Sequence, residues 1–223
     1  FIRIHIVGIA KKVGDVMAAA QEVAMFFFVI VALTAILLLI DTRSLRSSVV
    51  VVLCSFIAVV WQLGIVTMMG FTIDPYSMLV PFLVFAIAVS HGVQIVNAFL
   101  NNLAGDLGSR DAALATLAAL VVPGSVALVS DAIGFVTLYV IDVGVIRELA
   151  LAASIGVAVV ILTNLVIVPI VLSYTGAGSR AVAKVAEHNK GESPLASVFA
   201  RFTRPGYAAV SILIAVAAYG GGI

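Results

Sequence analysis

The sequence predicts an all-α polytopic membrane protein, and three observations carry that prediction. Hydrophobic residues make up 63% of the 223 positions and charged residues only 10%, a balance far from the soluble average and suited to lipid as solvent. Apolar runs recur at about the length that lets a helix cross the hydrocarbon core, roughly 20 residues. The Lys and Arg residues gather between those runs or at their ends.

Taken in order, "FIRIHIVGI" alternates weakly, as a strand does, and "AKKVGDVMAAAQEVA" reads as a helix feeding the first span. Spans are expected at 23–40, 49–70, 77–99, 122–141 and 146–173, with the start of a further one at 206–223. "DTRSLRSS" (41–48) separates the first pair. "FTIDPY" (71–76) separates the next, with Asp74 and Pro75 suited to a turn and a helix N-terminus. Residues 101–120 have an amphipathic character and are expected to lie along the interface, with Pro123 opening the fourth span. "DVGV" (142–145) is a tight turn, and 174–205 is a long polar connection holding a short surface helix. Arg147 and Glu148 are expected at a membrane boundary, as an interfacial anchor or a loop ion pair, and Trp61 is expected to pack. The chain starts at Phe1 rather than Met and reads as a piece of something longer, with an extracytoplasmic domain preceding the first span. No small-residue cleavage pattern follows the first run, so it is read as a span and not as a signal peptide.

Lys and Arg near helix ends bias a loop to the cytoplasm. One set of loops holds Arg43, Arg46, Arg110, Arg180, Lys184, Lys190, Arg201 and Arg204; the other holds Arg3, Lys11, Lys12 and Arg147. The first set is therefore placed in the cytoplasm and residues 1–22 outside.

The composition also excludes several functions. The net charge of +1 gives no basic field for nucleic acid. Cys54 is the only cysteine, so no disulfide, zinc cluster or thiol redox pair forms within the chain. No phosphate-binding glycine loop, metal-ligand pair or nucleophile elbow is present, so neither a cofactor, nor a metal, nor enzymatic chemistry is expected.

The candidate functional groups are polar residues set inside apolar spans. His91 lies near the middle of the third span, where an ionisable side chain usually faces protein and marks a proton or substrate path. At about 100° per residue, Ser90, His91, Gln94 and Asn97 fall within one third of the helix circumference and form a polar stripe. Asp131, next to Ser130, sits about halfway along the fourth span, where a carboxylate is among the costliest residues to bury. Gly124, Ala127 and Gly134 share its broad face, and small residues there let another backbone approach, so Asp131 is expected to point into a helix contact. Counting along antiparallel spans puts His91 and Asp131 within a few ångström in depth. A His–Asp proton relay follows, direct or through water, with Asn164 of the fifth span as a candidate member of the network. The structural alternative is a neutral histidine and a protonated aspartate that each make one interhelical hydrogen bond.

The stretches "GFTIDPYSMLVPFLVFAIAVSHGVQIVN", "VVPGSVALVSDAIGFVTLYVIDVGVIRELALAASIGVAVVILTNLVIVPIVLS" and "IHIVGIAKKVGD" resemble the resistance-nodulation-division (RND) superfamily, on the branch of predicted exporters related to mycobacterial large membrane proteins. The likeness covers residues 1 to about 210 and extends to the five-helix sterol-sensing region of Patched-type proteins. It implies that the spans are the second to sixth of a first six-helix half, followed by the start of a seventh. Residues 1–22 would then be the end of an α/β periplasmic porter domain. It also implies proton-driven export of hydrophobic or amphiphilic molecules, such as lipids, sterol- or hopanoid-like compounds or drugs, from a bacterial inner membrane. The partners implied are membrane lipids, protons, further copies of the chain, and periplasmic or outer-membrane proteins. Where the family's fourth helix usually carries an Asp-Tyr or Asp-Asp pair, this chain reads Ser90-His91, which points to Asp131 on the neighbouring helix as the replacement carboxylate. Two other readings belong to the same superfamily likeness: a non-transporting lipid- or sterol-sensing module, and an accessory to protein secretion.

Overall fold

A computed structural model describes residues 8–71, 78–190 and 205–220, and every regular element among them is helical. The elements are α1 (Ile9–Thr42), α2 (Leu45–Met68), α3 (Leu79–Ala104), α4 (Ser109–Thr137, continued by a 3-10 turn over Leu138–Val140), α5 (Gly144–Leu162), a π-helical turn (Thr163–Ile167), α6 (Val168–Thr175), α7 (Ser179–Lys190) and α8 (Pro205–Gly220). Five stretches are long and apolar enough to cross a membrane: Met17–Thr42, Leu45–Met68, Leu79–Ala104, Ser109–Val140 and Gly144–Thr175. This is the pattern of a multi-pass membrane protein. The expected strand over residues 1–9 and the Asp74–Pro75 turn lie mostly or wholly outside the described residues.

The chain divides into two compact units, 1–182 and 183–223. In the first, α2, α3, α4 and α5 pack around one another, while α1 leans mainly on α2. The centre is closed by small residues. A side-chain carbon on Gly156 of α5 would collide with Val84 of α3 and stand 3.1 Å from the Gln62 side chain of α2, so three helices approach at glycine distance there. Gln62 is buried and its Nε2 donates to the Ala152 carbonyl at 3.4 Å. Phe27 of α1 meets Phe82 and Phe85 of α3 edge-on at 5.1 and 5.5 Å, which anchors the peripheral helix. In the second unit, α8 is a 16-residue apolar helix.

Two expectations change. Residues 109–137 form one continuous helix with Pro123 inside it, so the segment before Pro123 is part of the fourth span's helix rather than a separate interfacial piece. Proline is tolerated inside a membrane helix where neighbouring groups satisfy the freed backbone. The α4 start is tied to the end of α3 by Asn102 Nδ2, which donates to Thr116 Oγ1 at 3.0 Å. Trp61, expected to pack, is instead 44% exposed. At the boundary Arg147 bridges Asp142, and not Glu148, at 3.0 Å, and its guanidinium lies 5.6 Å from the centre of the Tyr139 ring.

Candidate functional site

His91 sits where three helices lose regularity or bulk. Pro169 has no backbone N–H to give to Leu165, and its ring would crowd that carbonyl in a regular helix. The chain widens instead into the π-helical turn at Thr163–Ile167, a device that recurs at functional sites. The wide turn places Asn164, fully buried, against α3, where its Nδ2 donates to the Ala88 carbonyl at 2.7 Å. Its Oδ1 has no hydrogen-bond partner among the described residues. A side-chain carbon on Gly92 would stand 2.8 Å from Val51 and 3.5 Å from that oxygen, so Gly92 is what lets α3 close on both neighbours.

One turn from Ala88, the half-buried His91 ring places Nδ1 3.0 Å from the Ile87 carbonyl. A carbonyl only accepts, so Nδ1 is the donor in this contact. His91 and Gln94 of α3, Leu120, Pro123, Gly124 and Ala127 of α4, and Leu165 of the π-turn enclose part of a cavity of about 130 Å³. Gly124 makes this approach possible, because a side-chain carbon there would stand 2.9 Å from Leu165 Cδ2.

Asp131 is not brought into that cavity. It lies on the exposed side of α4, and no hydrogen bond or ion pair involves it among the described residues. The expectation that it points into a contact with another described helix is corrected by the course of the small-residue face. That face is covered at Gly124 by Leu165 but open at Gly134, which has nothing within 4 Å of a side-chain carbon. Asp131 belongs to the open part, one helical turn, or about 6 Å of rise, from Ala127 at the cavity. Ser130 is exposed beside it.

The α3 stripe is arranged similarly. Ser90, Gln94 and Asn97 are exposed, and none makes a side-chain hydrogen bond among the described residues. The structure thus brings His91 and Gln94 to one cavity, sets Asn164 outside its lining against Ala88 and Gly92, and leaves Ser90, Asn97, Ser130 and Asp131 exposed. No three His, Cys, Asp or Glu side chains cluster as metal ligands would among the described residues.

Gln62 was identifiable as a polar residue within a span, whereas the buried Ser55 of α2 was missed; Gln62 Oε1 and Ser55 Oγ, like Asn164 Oδ1, have no partner among the described residues. Sequence reading also missed the π-turn, for which Pro169 was the available signal. No protein-family model matches the chain, and no curated protein matches it.

Proposed function

We propose that this chain carries part of the proton-coupling transmembrane bundle of a secondary transporter. On this reading it is an RND-type exporter of hydrophobic or amphiphilic molecules in a bacterial inner membrane. The observation that supports it best is a histidine in a small cavity midway along α3, one turn of α4 from an aspartate with no partner among the described residues, both within stretches long and apolar enough to cross a membrane. Ionisable groups at that depth are costly and tend to be retained for ion movement.

The chemistry is proton transfer alone. Nε2 of His91 takes a proton while Nδ1–H holds the ring against Ile87. The cavity has room for a few water molecules at about 30 Å³ each, which span the turn to Asp131. Each change of charge alters how α3 and α4 are solvated and so biases one helix packing over another. A charge crossing the membrane potential supplies about 2.3 kcal/mol per 100 mV, enough to shift such a two-state element over repeated cycles. In proteoliposomes with an imposed pH gradient, Asp131→Asn is expected to reduce substrate movement to background while insertion and helicity are kept. Wild-type rates in that variant overturn the reading.

A second reading, lipid or sterol sensing without transport, is favoured by a different feature. An apolar cavity of about 280 Å³ lies among α1, α2 and α3, lined in part by Phe27, Phe28, Phe56, Pro81 and Phe82. Sterol-like ligand binding that is indifferent to a pH gradient, with no substrate movement, would select it.

A further inference from the structure

The strongest charge cluster in the first unit lies far along the helices from His91. Arg43 and Ser44 form the whole turn between α1 and α2, and residues 176–178 join α6 to α7. The two turns are stapled together. Ser44 Oγ accepts from Ser47 N at 3.3 Å and from Gly178 N at 3.4 Å, and Arg46 Nη1 donates to the Thr175 carbonyl at 3.3 Å. Between them is a cavity of about 500 Å³ lined by Arg43, Arg46 and Arg180 together with Ser44, Ser179 and Gly178. Among the described residues no acidic one lines it. The guanidinium groups of Arg43 and Arg180 have no hydrogen bond or ion pair among the described residues. Three cations held around one space, two of them unpaired, repel one another unless an anion enters.

A second, apolar groove meets this cavity. It measures about 260 Å³ and runs between α1 and α2, lined by Ala35, Ile36, Leu39, Leu45, Val49 and Leu53 among others. Leu45 belongs to both linings, so the cationic space and the groove adjoin at that side chain. From Arg43 back to Ala35 the groove follows two turns of α1, roughly 12 Å of rise, most of the depth of one leaflet of about 15 Å. A free inorganic anion uses only the arginines. A molecule with a phosphate at one end and a hydrocarbon chain at the other uses both.

We propose that the arginine-lined cavity and the α1–α2 groove together form a binding site for an anionic phospholipid of the arginine-rich leaflet. The headgroup phosphate sits among Arg43, Arg46 and Arg180, and one acyl chain lies along Leu39 and Val49. Arginine suits this role because its planar fork of donors matches phosphate oxygens in pairs. The N-terminal ends of α2 and α7, both at the cavity, add to the field that favours an anion. Occupied in this way, the lipid bridges α1, α2 and the α6–α7 turn. The proposal needs only that these helices span a membrane and is independent of the proton-relay reading.

The test is lipid retention by the whole chain after extraction from vesicles of mixed phosphatidylglycerol and phosphatidylcholine, read by native mass spectrometry. The wild-type protein is expected to keep phosphatidylglycerol in preference to phosphatidylcholine. Arg43→Gln and Arg180→Gln are each expected to weaken that preference roughly fivefold, as removal of one basic group near an anionic headgroup does. Ala35→Phe, which fills the groove, is expected to lower phosphatidylglycerol retention with all three arginines intact. Equal retention of the two lipids by the wild-type protein overturns the proposal whether or not any variant folds. So does displacement of phosphatidylglycerol by inorganic phosphate at equal concentration, since the site then serves a soluble anion. An unchanged preference in a folded Arg43→Gln/Arg180→Gln protein also overturns it.

Discussion

Two sides of the same bundle are built on opposite rules. Where α2, α3 and α5 meet, Gly156 brings backbones together and Gln62 is fully enclosed with its amide nitrogen engaged. Where α3 meets α4, a cavity lies beside His91 and Gln94, and one turn further along α4 Asp131 is exposed; the side chains of Gln94 and Asp131 make no hydrogen bond among the described residues. In lipid, association between helices comes from close packing and interhelical hydrogen bonds rather than from the hydrophobic effect. The first region supplies that cohesion. The second leaves polar side chains unengaged without weakening the first.

Four substitutions break or sharpen this contrast, read first as stability in a denaturing-detergent titration of the lipid-solubilised protein. Gly156→Val forces a side chain into Val84 and the Gln62 stem and is expected to destabilise by about 3 kcal/mol, the upper end for overpacking. Gly124→Val meets the movable end of Leu165 rather than a rigid wall, so about 1 kcal/mol is expected, at the lower end of the same range. Asn164→Leu removes the bond to Ala88 but also an unpartnered buried oxygen, and a loss of about 0.6 kcal/mol, typical of a hydrogen bond inside a membrane, is expected. Asp131→Asn is expected to change stability by less than about 0.5 kcal/mol, since no packed or paired group is lost. A large destabilisation by Asp131→Asn would erase the distinction between the two sides. So would a neutral result for Gly156→Val.

The spans were legible because hydrocarbon thickness imposes a length, and apolar runs of that length stand out between "DTRSLRSS" and "DVGV". Their rotation was much less legible. A span packed on one side and bathed in lipid on the other is apolar all round, so the wheel that displays a soluble helix's buried face is nearly uniform. That is why Trp61 read as packed and Asp131 as facing a neighbour. Pro123 read as a helix start because in water it usually is one, whereas here α4 continues through it. His91, Gln94 and Asn164 were identifiable as polar residues at depth. That Asn164 closes on Ala88 depends on a widened turn that no hydrophobic pattern encodes.

The wide turn at Thr163–Ile167 has a mechanical consequence for the last span. A helix with one residue more than its regular count holds slack, and moving that slack by a single position swings the side chains it passes by about 100°. Leu165, wedged against Gly124, is one of those side chains. Repositioning it would open or plug the space beside His91 without tilting any helix as a whole.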